Sequence, residues 1–241
     1  MNGIIVSLYA MTASFRDPNT HLYQESILAP PPTTIVGIAG AALGYGFKDA
    51  LEYFKENRIS VGCMLKSQGN GKDLWNYSKI KGKEVVKAIL LREFLFDVTA
   101  DIFFACEDGE KIDELYDSLK NPQYALSLGN SDDVVKILKV DRIINVKSTE
   151  DNMIRDTWIE GNYIKDFELD WENIKGLPIK RTIKPPIVKN LPVDFSFTKN
   201  DERIATKFYK FTFLGDLHML KKPVLVYDFM GKRVPLFTFG K

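Results

Sequence analysis

The residues with the widest chemical reach in this chain are cations interleaved with aromatics. Between positions 66 and 92 stand Lys66, Lys72, Lys79, Lys81, Lys83, Lys87 and Arg92, with Trp75 and Tyr77 among them. Aromatic faces stack on unpaired bases at about 1–3 kcal/mol each, while lysines follow a phosphate backbone. The same segment also reads as a solvated hairpin whose Trp75 caps a small satellite core. A second set gathers in a proline-bounded loop, where His21 lies two residues before Tyr23 and five after Arg16. Metal-free RNA cleavage needs a base for the ribose 2′-hydroxyl and a cation for the phosphate, and His21, Tyr23 and Arg16 supply those types. A loop histidine serves equally as an exposed hydrogen-bonding residue, and His218, beside Met219 and Lys221-Lys222, carries the same two readings.

Other chemistries are excluded by residue type and spacing. With two histidines and with Cys63 and Cys106 outside any C-x-x-C pair, neither a metal site nor a disulfide framework is expected. The glycine run from Gly37 to Gly46 lacks the G-x-G-x-x-G spacing after a strand, and no phosphate-loop motif is present, so no nucleotide cofactor is expected. Phe94, Phe96, Phe103 and Phe104 could be base platforms on a sheet, but the RRM signature is missing, which favours core packing. No segment is long and apolar enough to span a bilayer, and the N-terminus lacks a basic n-region and reads as a strand. A cytoplasmic protein with no membrane partner is expected.

Charge is segregated along the chain. The formal net charge of +1 hides −1 over residues 1–65, +5 over 66–92, −11 over 93–177 and +8 over 178–241. Basic blocks flanking an acidic one can fold into one positive face, which attracts a polyanion by counterion release. They can also simply solvate exposed strands.

The elements that must position these residues follow from periodicity. Ile4 to Phe15 reads as a strand and Asp17 to Pro32 as an extended loop. Thr33 or Thr34 is the expected N-cap of a helix from Ile35 to Tyr45. Gly37, Gly40 and Gly44 lie inside it at about 1 kcal/mol each relative to alanine. Gly37, Ala41 and Gly44 share one smooth face that either a sheet or a sugar-phosphate backbone must approach. Phe47, Leu51 and Phe54 continue the helical period to about Asn57, followed by a strand from Ile59 to Leu65. A lysine-rich excursion from Gln68 to about Lys87 suggests an inserted, projecting hairpin. Glu93 to Cys106 is β-type, Glu110 to Lys120 an amphipathic helix, and Val134 to Val146 a further strand. Beyond these, Ile159 to Ile164 suggests a two-residue hairpin turn. Phe208–Leu214 and Val224–Phe229 read as two strands, and Gly231 turns into a last one that Pro235 confines to an edge. The fold class is therefore α+β. Residues 1–147 follow the β-α-β-β-α-β order of a ferredoxin-like (RRM-like) domain with an insertion at about 66–92, and 148–241 form a β-rich C-terminal region.

Ala13-Ser14-Phe15-Arg16-Asp17-Pro18, then Tyr23-Gln24, then Ala29 through the proline cluster to Gly44, closely resemble the CRISPR-associated Cas-five family, part of the RAMP superfamily of RNA-binding proteins. Asn121-Pro122 through Leu128-Gly129 and Ser131 match a further segment of that family, and Val234-Pro235-Leu236-Phe237 fits its ending. The resemblance implies a subunit of a type I Cascade complex, with wording nearest to type I-B or I-A members, acting in antiviral defence. Such a subunit holds the 5′ handle of crRNA and caps the backbone filament. Its thumb contacts the adjoining backbone subunit and the RNA, and the large subunit is a further partner.

Carried over on these motifs, handle binding falls to Arg16, Tyr23, Gln24, Gly37 and Gly40. By position, the thumb is 66–92, with Lys66, Lys72, Lys79, Lys81 and Lys83 on RNA and Trp75 or Tyr77 stacking on a base. One branch of the family, in type I-C systems, is instead a metal-independent endoribonuclease that processes pre-crRNA with Tyr, Lys and His. This chain has no Lys-His neighbour pair. A non-catalytic subunit is therefore expected, with a nuclease using His21 and Tyr23 as the rival.

Overall fold

The computed structural model describes residues 1–20, 23–82, 84–176, 185–200 and 202–240. Its elements run β1 (Asn2–Ala13), β2 (Tyr23–Gln24), α1 (Pro32–Leu43), α2 (Phe47–Glu56), β3 (Ser60–Lys81), β4 (Glu84–Cys106), α3 (Gly109–Lys120) and β5 (Val135–Ile143). There follow β6 (Lys147–Glu160), one π-helical turn (Tyr163–Phe167), α4 (Trp171–Gly176), β7 (Ile187–Phe197), β8 (Arg203–Phe229), β9 (Lys232–Val234) and β10 (Phe237–Thr238). The fold is α+β with mostly antiparallel sheets. The first sheet has the order β10-β3-β4-β1-β5, with the short β2 added in parallel to β4. The second has the order β6-β8-β7, with β9 alongside β8.

Alternation along the strands explains how the first sheet is covered. Ile4, Val6, Leu8 and Ala10 of β1 point one way and pack with Ile35, Ala39, Leu51, Phe54, Ile112 and Leu115 of the helices. Ile5, Phe103 and Ala105 point the other way, against Val146, Phe229 and Val234 at the edge of the second sheet. Phe103 and Phe104 are thus both core residues on opposite faces. The second region also reaches the helical layer: Trp158, Phe211, Phe213 and Phe237 join that main core, and the Trp158 indole donates to the Pro30 carbonyl at 2.9 Å. Cys63 and Cys106 are free and buried.

Several local expectations change once tertiary pairing is visible. Helix α1 starts at Pro32 rather than after Thr33 or Thr34. Pro31 occupies the N-cap, where its carbonyl accepts from Thr34 and Ile35, and a proline's fixed φ suits the first helical turn. The helix closes at Gly44, which adopts a left-handed φ of 80°, so α2 is a separate helix. The expected hairpin at 159–164 does not form. Gly161 at φ 118° leads into the π-helical turn, which Asn162 caps by accepting from the Ile164 amide. The two strands expected at Phe208–Leu214 and Val224–Phe229 are one strand, because β6 stays paired to β8 across the gap, Ile154 against His218.

The lysine-rich excursion is a projecting hairpin, formed by continuation of the two strands that flank it. β3 and β4 pair in unbroken register from Ser60 opposite Ala105 to Lys81 opposite Glu84. The inner half of this hairpin lies in the sheet, and the outer half extends as a two-stranded arm. Gly69 and Gly71 mark the root, and their missing side chains receive the rings of Phe96 and Phe94 from the opposite strand.

Candidate nucleic-acid interface

Three segments far apart in sequence meet at the root of the arm. The first is the loop after β1, folded back on itself so that Arg16 bridges Ser26 and Ile27 donates to the Phe15 carbonyl at 2.8 Å. The second is the turn at 127–133. Asp133 is its hub, accepting from the hydroxyls of Thr12 at 2.6 Å and Ser14 at 2.5 Å and from the Asn130 amide at 3.2 Å. Gly129 has φ 115°, and a Cβ there would drive into the Ser14 carbonyl oxygen. Only glycine fits this close approach. The third is the arm root itself, where Arg92 of β4 faces Asp73 of β3.

The loop is locked from beneath by a buried ion pair. Lys189 of β7 lies 2.7 Å from Asp17 and 3.3 Å from Glu25. Burial alone would raise the Asp17 carboxyl. Lys189 and the Asn19 amide outweigh it and hold the group below the usual carboxylate range. This lock orients the neighbouring Arg16 outward, and among the described residues no carboxylate pairs with its exposed side chain.

Tyr23 and Gln24 enter the site by pairing with Leu91 and Arg92. The Tyr23 phenol donates to Glu93, whose other oxygen accepts from the Ser26 amide at 3.4 Å. Lys72 stands 5.2 Å from the Tyr23 ring centre and 3.7 Å from Glu93. Burial and the Glu93 hydrogen bond push the Tyr23 phenol up, so it stays a protonated donor. Arg92 makes a bidentate contact with Asp73, at 2.9 and 3.3 Å, and a further one with Asp132 of the turn at 3.2 Å. Its guanidinium lies 5.0 Å from the Trp75 ring centre. Arg92 is only 7% exposed, and among the described residues its buried Nη1 finds no hydrogen-bond partner. A buried donor left unpaired costs about 1–3 kcal/mol.

The two glycines assigned to nucleic-acid contact separate. A Cβ at Gly40 would come within 2.8 Å of the Ala50 Cβ, so that face is filled by α2 and is closed to RNA. Close helix packing does explain Gly40, but against a helix rather than a sheet. Gly37 faces open space. It lines a groove of about 330 Å³ with Thr33, Thr34, Ser127, Gly129 and Arg203, the last lying 4.9 Å from the Phe47 ring centre.

The arm has two chemically different faces, because residues opposite one another in register share a face. One carries Trp75 with Leu90, Tyr77 with Ala88, and Lys79 with Val86. The other carries Leu74, Ile80, Val85 and Ile89, exposed by 68%, 76%, 67% and 68%. Trp75 is 45% exposed and so caps no satellite core. Lys79 is exposed, and among the described residues it has no ion-pair partner. Lys81 closes the arm opposite Glu84.

Some expected residues fall elsewhere. Lys66 sits below the arm, 3.6 Å from Asp156, beside a cavity of about 900 Å³ whose Lys232 and Arg233 are likewise paired, with Asp101 and Asp151. His218 is fully buried and contacts the Asp216 carbonyl at 2.9 Å, which removes it as a catalyst. His21 and Lys83 lie outside the described residues. Among the described residues no group of three or more His, Cys, Asp or Glu side chains is placed to hold a metal ion, and no helix is long and apolar enough to cross a membrane. Sequence reasoning counted Arg92 only as one cation among seven and missed Glu93, Asp132 and Asp133. Asp132 and Asp133 follow directly on the motif residue Ser131, which was the available signal.

Comparison with known proteins agrees with this arrangement of motifs. No curated protein is similar enough to this sequence to count as a match. The fold is similar to a crystal structure of a CRISPR protein from Archaeoglobus fulgidus, with a TM-score of 0.56 and 14% identity over 99% of this chain and 100% of that one. It is also similar to a chain of a CRISPR RNA-guided surveillance complex, with a TM-score of 0.53 and 13% identity over 90% of this chain and 91% of that one. At such identities the likeness concerns the fold. A family model described as CRISPR-associated protein (Cas_Cas5) matches residues 3–206. The chain therefore belongs to the CRISPR-associated Cas-five family.

Proposed function

We propose that this protein is a non-catalytic subunit of a type I CRISPR surveillance complex. It binds the 5′ handle of crRNA and caps the backbone filament, in antiviral defence in the cytoplasm. The observation that carries this reading is the two-faced arm. Trp75, Tyr77 and Lys79 present stacking surfaces and a free cation, suited to single-stranded RNA. On the reverse, Leu74, Ile80, Val85 and Ile89 make an exposed aliphatic face that suits a protein partner, the adjoining backbone subunit. Arg16, Gln24 and the groove at Gly37 would continue the RNA track away from the arm, with Lys72, by register on the Leu74 face, and its neighbour Tyr23 at the arm's root. The large subunit is the further partner.

This reading treats residues 1–147 as a ferredoxin-like domain, supported by the order β3-β4-β1-β5 with α1, α2 and α3 on one face. The 148–241 region is then a second unit packed against it, and residues 66–92 are the thumb.

The rival endoribonuclease reading has one observation in its favour, the approach of Lys72 to Tyr23. A tyrosine can take a proton from the ribose hydroxyl only once it has lost its own, and burial and the Glu93 contact make the Tyr23 phenol a poorer acid, not a better one. The test is a denaturing gel of labelled repeat RNA incubated with the protein in EDTA, beside retardation of a 5′-handle oligonucleotide. Intact RNA with a retarded handle is the expected result. A single cut that disappears in His21→Ala or Tyr23→Phe would replace this reading with the nuclease.

A further inference from the structure

The guanidinium of Arg92 is more heavily engaged than a phosphate-binding arginine should be. Its Nε and Nη2 are taken by Asp73 and Asp132, yet among the described residues Nη1 has no partner. The two carboxylates outnumber the one cation, so the cluster carries a net charge of −1 and repels a phosphate. A neutral ligand that both accepts and donates hydrogen bonds suits it better. Asp73 and Asp132 have side chains that are 40% and 59% exposed. Arg92 takes both oxygens of Asp73 but only Oδ2 of Asp132, so Asp132 Oδ1 and the second lone pairs of Asp73 face such a ligand. The cover over the guanidinium is the ring of Trp75, which stands on the open face of the arm.

We propose that Arg92, Asp73, Asp132 and Trp75 form a pocket that reads one unpaired guanine in the bound RNA. Trp75 shifts from the guanidinium and stacks on the base. Nη1 then donates to the guanine O6, one of the acceptors that arginine reads. The adjoining N1–H and 2-amino groups donate to the carboxylates, as bases splayed from single strands are read on their pairing edges. Adenine and cytosine present an amino donor where guanine has O6. Uracil, whose O4 and N3–H mimic O6 and N1–H, lacks the 2-amino group that reaches the second carboxylate. The inference rests on the RNA-binding reading above and adds a base preference to it. It also assigns Asp132, in the family-matching turn, a role in sequence recognition.

The test uses the full chain and two probes. Fluorescence anisotropy compares short single-stranded RNAs, each with one guanine, adenine, cytosine or uracil in an otherwise constant sequence. Tryptophan fluorescence follows titration with GMP, AMP, CMP and UMP, with Trp75→Phe identifying the responding ring. The expected result is about tenfold tighter binding of the guanine RNA, the discrimination of one good contact pair, and quenching by GMP above the others. Both preferences should vanish in Arg92→Lys and in the surface variant Asp132→Asn. RNA binding with all four bases alike and no preference for GMP would overturn the pocket and leave the function standing. Quenching selective for GMP without RNA binding would keep the pocket and overturn the function. Neither response would overturn both.

Discussion

The inner and outer halves of the β3–β4 hairpin are one continuous ladder, yet they are built for opposite tasks. At the inner end, Leu95, Val98, Ala100 and Ile102 are buried, and the loops around them are tied by Asp133, Gly129 and the Asp17–Lys189 pair. At the outer end the ladder hydrogen bonds persist but almost nothing packs on either face, so large apolar side chains stand in water. An isolated two-stranded ribbon is marginal by itself. The difference teaches that burial and exposure are divided along one hairpin: the buried end fixes where the exposed end points.

The comparison can be broken most severely at its anchored end. Gly129→Ala forces a side chain into the Ser14 backbone at a left-handed φ, and a loss of about 3 kcal/mol or more is expected. Urea melts followed by circular dichroism measure it. A loss under about 1 kcal/mol would mean that the 127–133 turn is not the anchor described.

The next largest effect concerns the buried ion pair, and it carries a pH signature. Asp17→Ala should cost on the order of 2–3 kcal/mol, less than a wholly buried pair, because Glu25 still reaches Lys189. The Asp17 carboxyl is depressed in the folded chain, so its contribution is fully present above the unfolded value of about 3.9. It is lost as pH falls through the lower folded value. Wild type and Asp17→Ala should therefore differ most at neutral pH and converge in strong acid. A difference independent of pH would show that the pair does not act through its charge.

The smallest effect on stability belongs to the arm and sharpens the contrast. Replacing Ile80 and Val85 together by threonine should change unfolding free energy by no more than about 0.5 kcal/mol per site, as for other exposed positions. The same variant should lose its backbone-subunit partner in a size-exclusion co-elution assay and keep its affinity for the 5′ handle. Handle binding lost together with partner binding would show that the two faces do not work separately.

Much of this architecture was legible in the residues. β1, α2, α3 and the β-rich tail follow from the spacing of apolar positions, and α1 was legible to within a turn, beginning at Pro32 rather than after the threonines. The basic, aromatic run at 66–92 was visible as a projecting excursion, and Ser14-Phe15-Arg16 and Leu128-Gly129 marked the family. Local pattern could not show that β8 runs unbroken, because its continuity depends on pairing with β6 on one side and β7 on the other. The family resemblance likewise implied a common use for Gly37 and Gly40. Space alone separates them, since Ala50 closes one and solvent opens the other.

The sequence by itself determined the inventory of this protein: which segments are apolar, where the cations lie and which loops glycine and proline permit. Tertiary structure decided which of those groups meet. Arg92 finds Asp132 forty residues away, and Ser14 finds Asp133 across 119. The alternating faces of the arm acquire their roles only once β3 and β4 are in register. Contacts of that range depend on chain closure and packing, for which a local pattern carries no signal.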